Sequence, residues 1–418
     1  MRLVLHDFGG YAFSAQLARA MAARDHNVLY LYGRAFNTPR GRVTLGSNEP
    51  PMLSMAPIDL HDTFRGRASL RRLIQERRYG RILSERVRTF RPDVVISANC
   101  PPDAQAHALQ AAHAIGAGFV YWWQDRYSDA VEGLLAPRLG WAARPIAARF
   151  RRLERRLLEQ SDWIVPVAPD FLALLRQWRI PQARVSVIPN WAPLDEVTPL
   201  PKRNAWSDRH GLTDRPVFLY AGTLGRKHDP APLLELAASV PEAAVVVVAE
   251  GAGTAKLREA AAKLTNLLVL PMQPVTELPE VLATADVLVA ILDADASTFS
   301  VPSKVLTYLS AGRPILASVP EANGAAKAII EAEAGVVVEP GGTREFVQAA
   351  RRLIGDADLR AAAGRRARDY AERTFGIKAI ADRFESVLQA ACTATQPRVA
   401  AATDTASAPT DPRESSLE

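Results

Sequence analysis

The 418 residues are enough for two domains, each with a sizeable core. They are 48% hydrophobic and 23% charged and contain no long unbroken apolar run, which excludes a membrane-spanning helix. The formal charge of +6 is unevenly held: residues 1–201 carry 27 Arg and 18 acids (net +9), and residues 202–418 carry 24 basic and 27 acidic residues (net −3). A basic first half suggests an anionic partner, such as a membrane surface, a phosphorylated acceptor or nucleic acid. With only Cys100 and Cys392, a disulfide framework or a Cys-rich zinc site is ruled out. The opening MRLVLHDFGG reads as a strand rather than a secretory signal, so a cytoplasmic protein is expected.

In chain order, residues 2–6 read as a strand, Asp7-Phe8-Gly9-Gly10 as a glycine turn, 12–23 as a helix and 28–32 as a second strand. The turn lacks the GxGxxG fingerprint, which argues against a nicotinamide enzyme. Gly9 and Gly10 leave room for a ligand, or simply make a tight turn. Residues 34–63, rich in Pro, Gly and polar side chains, read as a long surface excursion. From Phe64 to Arg91 comes a helical segment with ten Arg and two Glu, then strand 93–98, helix 103–115 and strand 119–123. Asp125 follows that last strand. There it could act as an acid, a base or an orienter of a hydroxyl, or else form an ion pair or helix cap. Residues 146–160 are a basic amphipathic helix with Ile146, Phe150, Leu153 and Leu157 on one face. Such a helix either packs on its own sheet or lies on an anionic bilayer. Strands 163–167 and 185–188 close the first domain, and Pro189-Asn190-Trp191-Ala192-Pro193 begins the hinge.

The second half restarts the alternation with strands at 217–221, 244–249, 267–270, 286–292, 314–319 and 335–339. Helices separate them, and three more fill 343–390. Strands alternating with helices predict a parallel, doubly wound α/β sheet. Residues 393–418 lack periodicity and read as a disordered tail.

Three turns of this half fall on one sheet edge. Gly222 to Lys227 offers backbone room and two cations, Arg226 and Lys227. Glu250, Gly251 and Gly253 offer a second close approach. Ser303 and Lys304 open a helix after a strand, a natural anion site. A nucleotide diphosphate would use all three, with Arg226 and Lys227 neutralising the leaving diphosphate. Asp293-Ala294-Asp295 spells DxD, yet in this setting the acids are better placed for sugar hydroxyls, and no metal is expected.

GGYAFSAQLARAMAARDHNV, LERRLLEQSDWIVPVA, VIPNWAPLDEV, YAGTLGRKHD, VVVVAEGAG, ATADVLVAIL and VPSKVLTYLSAGRPILAS together resemble the GT-B glycosyltransferases of family 4, closest to bacterial members that assemble surface polysaccharides. The resemblance spans roughly residues 3–390. It implies two Rossmann-like domains facing across a cleft: an acceptor domain over 1–193 and a nucleotide-sugar domain over 194–375, with a last helix, 376–390, that packs back on the first. It further implies sugar transfer with retained anomeric configuration, with no metal and no cofactor, onto a saccharide or polyprenyl-linked acceptor at the inner face of the membrane. In this reading Gly9 and Gly10 approach diphosphate and acceptor, and Asp125 orients the acceptor hydroxyl. Arg226, Lys227, Ser303 and Lys304 hold the diphosphate. Gly222, Glu250, Gly251, Gly253 and Pro274 complete the donor site, and Thr307 touches ribose. The chain departs from the family's Glu-x7-Glu pair, because Phe299 and Thr307 stand where the two acids are expected. A hydroxyl cannot accept two strong bonds as a carboxylate can. A sugar-nucleotide epimerase and a catalytically silent binding module are the competing functions. Nucleic-acid binding is disfavoured because the basic helices lack interleaved aromatics.

Overall fold

The structure is a computed structural model that describes residues 1–34, 43–47, 49–60, 70–225, 228–251, 253–294 and 303–406. The chain divides into two compact units, one of Met1–Ile188 with Ala381–Glu418 and the other of Pro189–Ile380.

The first unit is built on six strands: β1 (Arg2–Asp7), β2 (Asn27–Gly33), β3 (Leu53–Ile58), β4 (Val94–Ala98), β5 (Gly118–Trp123) and β6 (Trp163–Pro166). The second holds β7 (Val217–Ala221), β8 (Ala244–Val248), β9 (Leu267–Leu270), β10 (Val287–Ile291), β11 (Ile315–Ser318) and β12 (Gly335–Val338). The orders are β3-β2-β1-β4-β5-β6 and β12-β11-β10-β7-β8-β9, so both units have the same doubly wound topology. All strand pairs are parallel, with Leu3 beside both Val28 and Val94 in one sheet and Leu288 beside Ile315 in the other. Helices cover both faces of such sheets, so their strands are apolar without alternation. Every residue of β4, β5, β7, β8 and β10 is accordingly buried. The winding reverses at β1/β4 and at β7/β10, and ligands of open α/β sheets collect beyond the carboxyl ends of strands at such a point.

Three expectations are corrected. The surface excursion over 34–63 contains β3, which pairs with β2 in register from Val28↔Leu53 to Gly33↔Ile58. β3 is an edge strand that buries only its ends, Leu53 and Ile58, and tolerates Pro57, so its pattern is weak. Residues 185–188 form no strand: Val185 makes one isolated bridge to Ile164, and Pro189 ends the run. The chain is also not a tail from 393, because the last helix runs Ile377–Ala406. Phe384, Leu388, Ala391 and Thr395 on that helix are buried in the first unit. Phe384 packs edge-on to Trp122 at 5.1 Å, and a Cβ on Gly118 would lie 2.8 Å from the Ala391 carbonyl. Thr393 and Thr395 donate their hydroxyls to the Gln389 and Ala391 carbonyls. Residues 407–418 lie outside the described residues. Among the described residues no helix is long and apolar enough to cross a membrane.

Candidate active site

In the second unit the carboxyl ends of β7 and β8 are laced together. Gly222 N donates to Val248 O at 2.9 Å, Leu224 N to Glu250 O at 2.8 Å and Gly253 N to Leu224 O at 3.1 Å. The loop after β7 is tied to that after β10 by Asp229 N donating to Asp293 Oδ1 at 2.7 Å. Asp293 thus has a local structural role, and Asp295 lies outside the described residues.

The helix Ser303–Ser310 begins at this edge. Tyr308, one turn into it, bonds the end of β7 twice: its hydroxyl accepts from Ala221 N at 2.9 Å and donates to Ala221 O at 3.1 Å. So held, the helix lays Lys304 under the β7 turn, with Nζ 3.6 Å from the centre of the Tyr220 ring. A cation over an aromatic face is attracted by the ring quadrupole. Lys304 is half-buried as a residue, but its Nζ is sealed from water and has no hydrogen-bond partner among the described residues. Burial lowers its ammonium to about 7. Gly222 makes the arrangement fit: at φ 130° its missing Cβ would lie 3.1 Å from Lys304 Cε. An ammonium stripped of water, with no carboxylate partner among the described residues, favours an anion beside it.

Other expected donor residues fare differently. Gly251 (φ 128°) and Gly253 face Leu224, and Cβ atoms there would lie 2.4 Å from its carbonyl and 2.7 Å from its side chain. Loop-on-loop packing therefore accounts for both glycines without a ligand. Glu250 is exposed at the same edge, and Thr307 is half-buried one turn after Lys304. Pro274 is exposed beyond β9, at the far edge of the sheet. Arg226, Lys227, Phe299 and the side chain of Ser303 lie outside the described residues. Sequence reading missed Tyr220 and Tyr308, whose signal is only a Tyr beside each glycine motif.

The first unit has its own constellation at β1/β4. Asp7, fully buried, accepts five bonds. Its Oδ1 takes Gly9 N at 2.8 Å, Gly10 N at 3.2 Å and Asn99 Nδ2 at 3.2 Å. Its Oδ2 takes Tyr11 N at 3.2 Å and Ser14 Oγ at 2.5 Å. Burial pushes the Asp7 carboxyl up to about 6, against the pull of these donors. The turn it shapes lines a cavity of about 270 Å³ together with Tyr11, Arg72, Asn99, Asp125 and Tyr127. Asp125 is exposed on its rim. Gly9 is required because a Cβ there would lie 2.4 Å from the Tyr11 ring, and Gly10 because its φ is 67°. Glu154, hidden in the arginine-rich helix, is fully buried and accepts from Trp123 Nε1 at 3.1 Å, Tyr127 N at 3.0 Å and Ser128 Oγ at 2.8 Å. It thereby fixes the start of the helix Tyr127–Leu139 beside this cavity.

The comparisons agree with this geometry. Two family models match, Glycosyltransferase Family 4 over residues 9–196 and Glycosyl transferases group 1 over residues 215–356. No curated protein matches the chain. Among solved structures, sucrose-phosphate synthase from Thermosynechococcus elongatus aligns with a TM-score of 0.70 at 15% identity, covering 93% of this chain and 98% of that one. HepE from Anabaena, solved in complex with UDP, gives 0.66 at 16% identity, covering 93% and 100%. The apo form of the lipopolysaccharide outer core galactosyltransferase WaaB gives 0.55 at 14%, covering 93% and 99%. At such identities the likeness shows the fold alone, and the two family models supply the rest: the chain belongs to the family 4-like glycosyltransferases of GT-B fold.

Proposed function

We propose that this glycosyltransferase moves a sugar from a nucleotide diphosphate to a saccharide or lipid-linked acceptor, with retention at the anomeric carbon and no required metal. The observation that carries the reading is Lys304, sealed from water and without a hydrogen-bond partner among the described residues, where β7 and β10 part. In the reaction the acceptor oxygen bonds the anomeric carbon, the bond to the diphosphate breaks, and the acceptor gives up its proton. Charge then grows on the departing diphosphate, which a preplaced cation stabilises. Lys304 supplies that charge, Asp125 orients the acceptor hydroxyl, and Arg226 and Lys227 add cations. Thr307 offers ribose one hydroxyl. HepE was solved with UDP and with UDP-glucose, which favours a nucleotide-sugar donor here.

Incubation with a panel of UDP- and GDP-sugars and a saccharide acceptor, followed by product analysis, tests the reading. A glycosylated acceptor supports transfer. A free epimerised sugar would mean an epimerase, and no nucleotide binding at all would mean a silent module.

Surface-glycan assembly at the cytoplasmic face of a membrane is the setting we favour, with WaaB as a like-folded example. Of the two readings of the basic helix, inward packing holds for Phe150 and Leu157, which are buried inside the unit. At the start of the helix Ala143–Gln160, however, Trp141 is 82% exposed beside exposed Leu139 and Ile146. Arg144, Arg152 and Arg156 continue along its outer face, exposed and without an ion pair among the described residues. Aromatic and aliphatic groups beside arginines suit an anionic interface. The protein should sediment with phosphatidylglycerol vesicles at low salt and be released at high salt. Trp141→Ser should weaken that binding several-fold, and unchanged sedimentation would remove the membrane contact.

A further inference from the structure

At the other edge of the second sheet, where β10 and β11 begin, lies a cavity of about 470 Å³ that the donor reading does not use. Gly312, Arg313 and Pro314 form one side, and the helix Ala357–Phe375 forms the other with Arg360, Arg365 and Arg368. Asp286 and Asp369 are the acids that line it.

The commitments of these charges decide what could enter. Asp286 is already neutralised by Lys202 Nζ at 2.6 Å and accepts from Val217 N at 2.8 Å. Arg368 is spent, pairing with Glu372 at 2.6 Å and donating to the Val197 and Ser310 carbonyls at 2.8 and 2.9 Å. Among the described residues Arg313 and Arg360 donate to neutral carbonyls, Leu200 and Ala283 for the first and Leu353 and Ile354 for the second, and the Asp286 charge also acts on Arg313. Arg313 Nε has no hydrogen-bond partner among the described residues, and burial lowers the guanidinium from its ordinary value. Arg365 is exposed and has no ion pair among the described residues. Three guanidinium groups thus line one cavity, with Asp369 as the lining acid that has no ion pair among the described residues, leaving it positively charged. Fixed guanidinium forks match phosphate oxygens in pairs. The volume falls in the range of small-ligand pockets, far above the roughly 30 Å³ of a water.

We infer that this cavity, remote from the donor loops of the same sheet, is a second anion site that takes a small phosphate-bearing molecule through Arg313, Arg360 and Arg365. The inference stands apart from the donor reading, and the test keeps the two separable. Inorganic pyrophosphate is titrated calorimetrically into the wild type, Lys304→Met and Arg365→Glu, with melting temperatures recorded for each. Arg365 is exposed and makes no hydrogen bond or ion pair among the described residues, so its replacement should leave the fold intact. Two sites are expected in the wild type: Lys304→Met loses the donor-loop site and keeps the second, and that second site weakens about tenfold or more in Arg365→Glu. All binding abolished by Lys304→Met, an isotherm unchanged in Arg365→Glu, or no binding in the wild type would overturn the inference. If Lys304→Met changes nothing while Arg365→Glu abolishes binding, the second site stands and the donor reading is the one that fails.

Discussion

Lys304→Met should fold normally and lose about 100-fold or more in transfer, the scale on which removal of one preplaced charge-stabilising donor acts. Methionine keeps an apolar stem as far as Cε, so the packing of the stem is retained while the ammonium over the Tyr220 ring is lost. Steady-state kinetics with a saturating acceptor would report the effect, and a melting curve would show that the fold is intact. The pH dependence gives a second signature. In the free enzyme the ammonium sits at about 7, and Tyr220, whose ring it covers, stays neutral through that range. Pairing with a diphosphate raises its affinity for a proton, so binding above pH 7 takes one up. Affinity for UDP should therefore fall as pH rises from about 7 and be insensitive to this group below it. Lys304→Arg, charged throughout, should flatten the profile. Full activity in Lys304→Met would remove Lys304 from the reaction.

Asp7→Asn is expected to lower transfer by a comparable factor from the other unit. Every atom that meets the Asp7 carboxylate is a donor, and the amide NH2 must displace Oδ1 or Oδ2. It would then face either Gly9 N, Gly10 N and Asn99 Nδ2 or Tyr11 N and Ser14 Oγ. Leaving buried donors unpaired costs about 1–3 kcal/mol each. The melting temperature should fall, and the Gly9–Gly10 turn should lose the shape it gives the cavity. A variant with full transfer and a wild-type melting point would show that the five bonds are dispensable.

Sequence made some parts of this architecture legible and hid others for physical reasons. Strands buried on both faces, such as VFLYA, AVVVV and VLVAI, advertise themselves as unbroken apolar runs. The edge strand LSMAPI meets solvent along its middle and loses that signal. Lys304 could be found because a strand, a short loop and a helix start mark an anion site locally. Asp7 could not, since Asn99 joins it from 92 residues away. Glu154 was masked by the arginines around it, although its burial is what makes that helix face polar inside. Gly251 and Gly253 were read toward a ligand, whereas Leu224 of the neighbouring loop fills the space. That contact depends on how two loops of one sheet edge fold together.

Hydrogen–deuterium exchange with and without UDP tests the central claim most directly. Binding at the β7/β10 edge should slow amide exchange at Gly222–Gly225 and over the first turn of the helix Ser303–Ser310, and Lys304→Met should diminish that protection. Protection confined to the first unit, or none at concentrations that support transfer, would contradict the account.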